Sequence, residues 1–312
     1  MYTLAEKIFL SIFLIVVIVF GVVGNTFVIA ATVRFHRLRR NVSNYLLLNL
    51  AISDLLSSSV IMPYHLASVI NLDIINDNGL LCQIGGTLSY PILLTSTLTL
   101  VMLAIDRFIA MSDPLRYRAR ITFKAISFMI SYTWLHSTFF TIFTLLLVDM
   151  EFDEVSLDCG VAWQKSPLWF ALLSMLLNIV FPFLFVALTS LRVLSIAKSH
   201  HKQIASEVQV YTGQGPPRNR TRGRESKATS VILMVILMFL ITWSPYLVTR
   251  ALRVFGIDLP SIVYTLSIWI LHINAVGNFF IYSRRGQEYR QAFLAIIKRQ
   301  SILPPGSEHS AF

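Results

Sequence analysis

Seven apolar runs, each long enough to cross a bilayer, dominate the 312-residue chain. A transmembrane helix needs ~20 mostly apolar residues, and each run comes near or exceeds that length. The runs cover 8–33, 44–70, 82–111, 124–148, 167–197, 228–252 and 260–282. The first run exceeds the ~7–15-residue apolar core of a signal peptide, so we interpret it as a retained signal-anchor helix. The pattern predicts an all-α membrane protein with a single domain, 1–312, that forms a seven-transmembrane helix bundle.

Two segments lack the long apolar pattern. The stretch 199–224 is polar and rich in Gly, Pro and Arg, and we expect it to be a disordered loop. Beyond the seventh run, 284–298 combines basic residues with apolar positions on one helical face: Tyr289, Phe293, Ile296 and Ile297. This pattern predicts a short amphipathic helix lying on the anionic inner surface of the bilayer.

The loops between the runs alternate in charge. Segments 34–43, 112–124 and 192–227 are basic, whereas 71–81 and 149–166 are acidic. The positive-inside rule therefore predicts an extracellular N-terminus and an intracellular C-terminus. The net charge of +10 alone would suggest a nucleic-acid partner. Because the charges lie in loops beside membrane spans, we expect the lipid bilayer and no nucleic acid as their partner.

The chain has two cysteines, Cys82 and Cys159. Two are too few for a disulfide framework or a metal cluster but enough for one disulfide bond. The predicted topology places both on the outer, oxidising side, which favours a Cys82–Cys159 bond.

Asp54 is the deepest ionisable residue of the predicted spans, and such residues usually mark a functional site. Four polar side chains are placed to meet it in the bundle interior: Asn25, Ser96, Asn274 and Asn278. Oxygen-rich groups around one carboxylate suit a hard cation such as sodium, with Asp54 and Ser96 as tentative ligands, or a shared proton. The alternative is that these groups only hydrogen-bond one helix to another. Both interpretations stay open at this point.

Asp106 and Arg107 lie at the inner end of the third run. Arg107 is placed to pair with Asp106 and with Glu225, near the start of the sixth run, which would lock two helix ends together. The alternative is an ordinary salt bridge at a helix end with a snorkelling arginine.

Prolines and histidines mark further positions within the runs. Pro245, two residues after Trp243, is expected to kink the sixth helix, and Pro182 the fifth. His136 and His272 are lone intramembrane histidines, a pattern more typical of hydrogen-bonded packing than of ligands.

Together these residues resemble the rhodopsin-like (class A) G protein-coupled receptors, over nearly the whole chain. The matching motifs, in chain order, are Gly24-Asn25 with Val28, Asn49 to Asp54, Asp106-Arg107-Phe108, Asp113-Pro114-Leu115, Trp134, Pro182, Phe239 with Trp243-Ser-Pro245, and Asn278 with Tyr282. Each motif alone is weak, but their order on the predicted helices and the matching topology make the set specific.

The resemblance implies a plasma-membrane receptor and not an enzyme. It implies that an agonist shifts Trp243 and Phe239, swings the sixth helix outward and frees Arg107 from Glu225, so that a heterotrimeric G protein binds. Asp106 and Tyr282 belong to the same coupling region. The polar cluster around Asp54 would be the family's sodium pocket. Arrestin is a second candidate partner. The few serines near the C-terminus give little information on whether it binds.

The chain departs from the family pattern at two informative positions. Phe279 replaces the proline of the seventh-helix motif, and Ser190 replaces a tyrosine of the fifth helix. These changes motivate a second hypothesis, a receptor-fold protein with weak or no G protein signalling that acts as a decoy or heteromer partner. A third hypothesis, a seven-helix transporter using Asp54, His136 and His272, predicts internal symmetry and a charged relay, and the sequence shows neither.

The ligand is constrained mainly by what the chain lacks. Ser89 stands where amine receptors of the family carry an aspartate, and His272 stands where opsins carry the retinal lysine. The chain therefore resembles neither a conventional amine receptor nor an opsin, and no retinal or other cofactor is expected. The short N-terminal segment favours a small molecule or short peptide as ligand.

By helical position, ten residues are predicted to face a common outer cavity: Ser89, Leu93, Ser174, Asn178, Trp243, Tyr246, Arg250, Tyr264, Ile268 and His272. Arg250 invites an anionic ligand group such as a carboxylate or phosphate. Instead of binding a ligand, Arg250 could pair with the acidic 149–166 loop or snorkel outward.

Overall fold

The structure, a computed structural model, describes residues 2–70, 79–212, 220–254 and 256–298. Within these ranges, seven helical stretches are long and apolar enough to cross a membrane. We number them as spans in chain order: Leu4–Arg34, Asn44–Ile70, Gly79–Ser112, Phe123–Leu147, Leu168–Ile196, Val231–Arg253 and Ser261–Arg284. The predicted seven-helix bundle is confirmed.

Two spans belong to longer helices. The helix of the fifth span continues to Thr212, and the helix of the sixth runs from Arg220 to Val254. The prediction of a disordered loop over 199–224 therefore differs from the structure, which describes helix on both sides of 213–219. The sequence offers a reason for the helix over 199–212, because this part contains neither glycine nor proline, the residues that most disfavour helix.

The second and fifth spans each contain one wide π-helical turn. In the second, helix Asn44–Leu56 passes through the π turn Ser57–Ile61 into helix Met62–Ile70. In the fifth, helix Leu168–Met175 passes through Leu176–Val180 into the long helix that begins at Phe181.

Both π turns end just before a proline, Pro63 in the second span and Pro182 in the fifth. Proline has no N–H and collides with the preceding turn, so the helix widens there to relieve the conflict. At Pro182, where the sequence predicts a kink in the fifth helix, the structure has a π turn just before the proline. Pro91 and Pro245, in contrast, lie inside continuous helix.

The loops carry small elements of their own. Short helices His36–Arg39 and Tyr117–Arg120 follow the first and third spans, and a 3₁₀ turn, Trp163–Lys165, precedes the fifth. Strands β1 (Met150–Asp153) and β2 (Asp158–Val161) pair antiparallel with Phe152 opposite Cys159. We call residues 150–161 the hairpin.

A disulfide bond joins Cys82, near the start of the third span, to Cys159 of the hairpin, with the Cα atoms 5.4 Å apart. The predicted bond is confirmed. It fixes the hairpin to one end of the bundle, which we call the disulfide end. The opposite end of the third span carries Arg107, and we call it the Arg107 end.

The last helix is Gln287–Ile297, shorter than the predicted 284–298 because the chain turns at Gly286. Its aromatic face points into the protein: Tyr289 and Phe293 are buried, and the hydroxyl of Tyr289 lies 3.1 Å from Thr32 Oγ1 of the first span. Ile297, predicted on the same face, is 66% exposed. The apolar stripe therefore mainly docks the helix on the bundle, because its rings find partners there.

The first two spans approach closely at Gly21. A Cβ atom at this position would lie 2.3 Å from Ser58 Oγ and 2.9 Å from Ser58 Cβ. The Cβ of Ser58 cannot move without its backbone, so only glycine fits this contact.

Gly21→Ala is therefore expected to destabilise the bundle, since overpacking typically costs about 1–3 kcal/mol. A thermal-unfolding scan of the detergent-purified protein should show a lower midpoint. Gly160→Ala is the matched control, because a Cβ there meets nothing within 4 Å. Equal midpoints for the two variants would contradict the close approach.

Candidate functional site

Asp54 lies in the middle of the bundle, where its residue is only 2% exposed. Ser96 Oγ of the third span donates to Asp54 Oδ1 at 3.1 Å, and Asn278 Nδ2 of the seventh donates to Asp54 Oδ2 at 2.7 Å. The carboxylate thus joins three spans through direct hydrogen bonds, which compensate part of the cost of burying it.

A cavity of ≈ 20 Å³ adjoins this carboxylate. Its lining includes Asp54, Ser96, Trp243, His272 and Asn274. The volume suffices for about one water molecule or a small ion.

Two neighbouring amide oxygens, Asn274 Oδ1 and Asn278 Oδ1, are buried with no hydrogen-bond partner among the described residues. Together with the carboxylate of Asp54 and the hydroxyl of Ser96 they form a set of hard oxygen donors, which fits a sodium ion. The described residues contain no group of three or more His, Cys, Asp or Glu side chains suited to a metal, so this site would rely on one carboxylate and neutral oxygens.

Asn25 does not reach Asp54 directly. Its Nδ2 donates to the carbonyl oxygens of Gly21 and Ala275, both at 2.9 Å. Asn25 therefore ties the first span to the seventh beside the polar cluster.

Asp106 and Arg107 form a buried pair at the Arg107 end. Arg107 donates to Asp106 Oδ2 from Nε at 2.8 Å and also from Nη2. Ser43 Oγ and the hydroxyl of Tyr117 donate to the other oxygen, Asp106 Oδ1, at 3.0 and 2.8 Å. The Asp106–Arg107 pair, which both interpretations predict, is present and belongs to a buried hydrogen-bond network.

Tyr117 closes this network from the loop after the third span. Burial raises the pKa of Tyr117 to about 12, so its hydroxyl keeps its proton and can donate to the carboxylate. The sequence analysis missed both Tyr117 and Ser43, because no periodicity or spacing in the loops marks a residue that folds back onto Asp106. The side chain of Glu225, the other predicted partner of Arg107, lies outside the described residues.

Trp243 connects the cavity to the core of the sixth span. Its ring centroid lies 5.2 Å from that of Phe239 and 6.2 Å from that of Tyr246. Pro245 follows within the same helix. A group entering the cavity would therefore contact Trp243, which packs in tilted and edge-on geometry against these two rings.

Phe279 occupies a close packing position that a proline would not fill. Its ring lies 5.4 Å from Phe293 of the last helix and 6.2 Å from Phe27 of the first span. A Cβ on Gly24 would lie 2.7 Å from Phe279 Cβ, so the two spans are in close contact here. Tyr282, one turn further on, is buried with its ring stacked on Tyr289 at 5.1 Å.

The ten residues predicted to line one outer cavity fall into several groups, and each group has different neighbours. Leu93, Trp243 and His272 line the small cavity beside Asp54. Ser89 Oγ donates to the backbone oxygen of Gly85 at 2.7 Å.

The fifth-span candidates face neighbouring spans. Ser174 Oγ lies 3.1 Å from the hydroxyl of Tyr90, and Asn178 Oδ1 lies 3.1 Å from His136 Nε2. His136 therefore has a packing role, as expected, and is bonded to Asn178.

His272 belongs to a chain of polar contacts that the sequence analysis missed. Its Nε2 lies 3.1 Å from Nδ1 of His65, and Nε2 of His65 lies 3.0 Å from Oδ1 of Asp158 in the hairpin. His65 stands in an apolar run exactly as His136 and His272 do, so the same criterion would have singled it out. Its contact with the hairpin could not have been found that way.

Arg250 also faces the hairpin. Its Nη1 lies 3.8 Å from Asp153 Oδ2, and Arg253 Nη1 donates to the same oxygen at 2.7 Å. Of the alternatives for Arg250, the structure shows pairing with the acidic loop. Burial alone would raise the pKa of Asp153, but hydrogen bonds from Arg253, Ser156 and Val155 outweigh it and hold this pKa below its ordinary value.

Leu157, at the tip of the hairpin, combines burial with an unusual backbone. It is 3% exposed and has a φ of 52°, in the left-handed region. This conformation costs a non-glycine residue about 1–2 kcal/mol. Leu157 belongs to a buried apolar cluster that includes Leu10, Met62, Ile268 and Trp269, and burial there offsets the strain.

Comparison with known proteins agrees with this architecture. The profile described as "7 transmembrane receptor (rhodopsin family)" matches residues 24–282. The crystal structure of squid rhodopsin superposes with a TM-score of 0.79 at 21% identity, covering 95% of this chain and 86% of that one. At that identity the likeness shows the fold alone.

Similar sequences come from several receptors. The chain is 28% identical to trace amine-associated receptor 365 of Petromyzon marinus, over 94% of this chain and 80% of the relative. It is 28% identical to human G-protein coupled receptor 26, over 93% and 90%, and 27% identical to human 5-hydroxytryptamine receptor 4, over 96% and 83%. These relatives are receptors and not enzymes or transporters. The chain belongs to the rhodopsin family of seven-transmembrane, G protein-coupled receptors, which function in the plasma membrane.

Proposed function

We propose that this receptor senses a small molecule or short peptide at its disulfide end and activates a heterotrimeric G protein at its Arg107 end. The observation that carries the proposal is the buried network around Arg107, which holds the arginine with Asp106, Ser43 and Tyr117. A buried cation that donates to several acceptors, here Asp106, Ser43 and Tyr117, is costly to displace, which suits a switch that stays off until a ligand acts.

The charge of the loops supports the orientation. The hairpin end carries acidic loops and the disulfide, whereas the Arg107 end carries the basic loops. We infer that the disulfide end is extracellular and that the N-terminus lies there.

The proposed mechanism links the two ends through the sixth span. Trp243 lines the cavity, Phe239 lies one turn closer to the Arg107 end, and the span continues into the helix that carries Glu225. Pressure on Trp243 would tilt this helix outward and open the G protein site. Arg107, freed from its partners, would then contact the G protein, with Tyr282 moving toward the opening. Arrestin would compete for the same opening.

The ligand need not be a cationic amine. Three relatives are named for trace amines, 5-hydroxytryptamine and dopamine. In this chain Ser89 stands where an amine-binding aspartate would be expected, and its hydroxyl is bonded to its own helix. A neutral or acidic ligand is more compatible with Arg250 and Arg253 near the disulfide end.

A second candidate is a receptor-fold protein that signals weakly or not at all. Phe279 packs between the first span and the last helix, which would resist movement of the seventh span. Ser190 Oγ donates to the carbonyl of Val186, within its own helix, and does not reach toward Arg107. Both features favour restricted activation.

The network around Arg107 predicts the effect of three substitutions on ligand-free signalling. Arg107→Ala should abolish coupling, Glu225→Ala should raise the basal signal, and Tyr117→Phe should raise it several-fold because it removes a donor to Asp106. A panel of G protein biosensors at matched surface expression measures all three. Tyr45→Phe is the control, since its ring packs on Phe123 without a described hydrogen bond. No change in Tyr117→Phe would mean that this hydroxyl does not restrain the switch.

The oxygen cluster predicts a sodium effect. Replacing external sodium by N-methylglucamine should raise the basal signal of the native receptor, because the ion would stabilise the inactive packing. Asp54→Asn should remove this dependence, whereas Ser59→Ala, whose hydroxyl is bonded to Leu55 O on the exposed side of the same span, should keep it. A sodium response that survives in Asp54→Asn would place the ion elsewhere.

Substitutions of Phe279 test whether its packing restricts signalling, as the second candidate function requires. Phe279→Pro removes both the ring contacts and a backbone donor, so the signal should rise if this packing restrains the seventh span. Phe279→Leu keeps the donor and isolates the effect of the ring. A signal that does not rise in either variant would show that Phe279 is not the restraint.

A further inference from the structure

We propose that residues 153–158, the tip of the hairpin, are a tethered occupant of the receptor's ligand cavity, which an external ligand must displace. The inference rests on the proposed function, because it assigns the regulation of the ligand site at the disulfide end.

The tip is held at both of its acidic ends. Asp153 accepts from Arg253 at 2.7 Å and lies 3.8 Å from Arg250, both of the sixth span. Asp158 lies 3.0 Å from His65 of the second span. The two carboxylates thus bridge opposite sides of the bundle.

Between these ends the backbone of the tip is bonded to the spans as well. The hydroxyl of Tyr2 donates to the carbonyl of Val155 at 2.8 Å, and Thr265 Oγ1 of the seventh span donates to the carbonyl of Ser156 at 3.1 Å. An exposed loop has no need of such bonds, whereas a segment inside the bundle must satisfy its carbonyls there.

Leu157 supplies the apolar contact of the tip. It accepts a left-handed backbone in order to enter the buried cluster with Ile268 and Trp269 of the seventh span. The tip therefore presents two carboxylates and one apolar side chain to the bundle, much as a short acidic peptide would.

The space that remains beneath the tip is too small for a ligand. The cavity lined by Leu93, Trp243 and His272 measures ≈ 20 Å³, whereas small-molecule sites measure roughly 300–1,000 Å³. His272 contacts His65, which contacts Asp158, so the tip reaches the wall of this cavity through two side chains. Displacing the tip would join the cavity to the outside and create a site of ligand size.

Four of the residues assigned to the ligand site from sequence then acquire a common explanation. Arg250 pairs with Asp153 of the tip, Tyr264 and His272 each reach the tip through one neighbouring side chain, and Ile268 shares the buried cluster of Leu157. A ligand that replaces the tip would recover the contacts of Asp153 and Asp158 if it carried carboxylates.

The test measures access to the cavity and needs no signalling. The two native cysteines are bonded to each other, so Leu93→Cys adds the single free thiol of the chain. Intact cells expressing the full chain are treated with a membrane-impermeant methanethiosulfonate reagent, and the rate of modification is measured. With the native tip this rate should be low.

Asp153→Asn, Arg253→Gln and Leu157→Ala, each in the Leu93→Cys background, should raise the rate about fivefold to tenfold, because each removes a contact that holds the tip closed. Glu154→Gln, at an exposed position of the same turn, should leave it unchanged. The double variant Asp153→Asn/Arg253→Gln should react about as fast as either single variant, since both remove the same ion pair.

A fast rate in the Leu93→Cys background alone would overturn the proposal, as would unchanged rates in all three loosened variants. An additive double variant would show that Asp153 and Arg253 do not hold the tip through their shared ion pair and would likewise count against it. Silence in every G protein biosensor would refute signalling without affecting this result, so the two proposals fail separately.

Discussion

A carboxylate buried among membrane spans has to find its hydrogen-bond donors within the protein, because lipid offers none. Asp54 meets this constraint with Ser96 and Asn278, and in doing so links the second, third and seventh spans. The cavity beside Asp54, which has room for one water or ion, is lined by Asn274, whose buried amide oxygen has no partner among the described residues. The polar centre is therefore a structural joint that lies next to a small polar cavity.

The two ends of the bundle are closed by different chemistry. At the Arg107 end a buried ion pair is completed by a serine and a tyrosine from the loops. At the disulfide end a hairpin tip is held by ion pairs, backbone hydrogen bonds and one buried leucine. The third span carries an anchor for each end, Cys82 and the Asp106–Arg107 pair, with Ser96 between them. Under the proposed function, this span would couple displacement of the tip at one end to the free energy of opening at the other.

The seventh span departs from the family pattern at Phe279, which stands where the seventh-helix motif has a proline. The ring of Phe279 contacts both Phe27 and Phe293. The last helix uses its aromatic face for the same contact, which is why that face is buried against the bundle. Both observations describe a seventh span that is firmly attached to its neighbours.

Much of this protein was determined by the sequence alone. The length and spacing of the apolar runs fixed the number of spans, because a helix must be long and apolar enough to cross lipid. Two cysteines predicted at the same end left one possible pairing. The sequence also predicts a site at Asp54, because a buried charge is costly and usually has a role. These features depend on local composition and on the membrane, which act on every segment separately.

The sequence indicated that Ser96 and Asn278 meet Asp54, but tertiary structure alone decided which loop residues meet the polar groups of the spans. Nothing in the spacing of Tyr117 or Ser43 reveals that both bind Asp106, and nothing in 153–158 reveals that its carboxylates reach Arg253 and His65. Such contacts join residues that are far apart in the chain, and they depend on the rotation of each helix and the path of each loop. A sequence pattern specifies which face of a helix is polar, but only the packed bundle determines what that face touches.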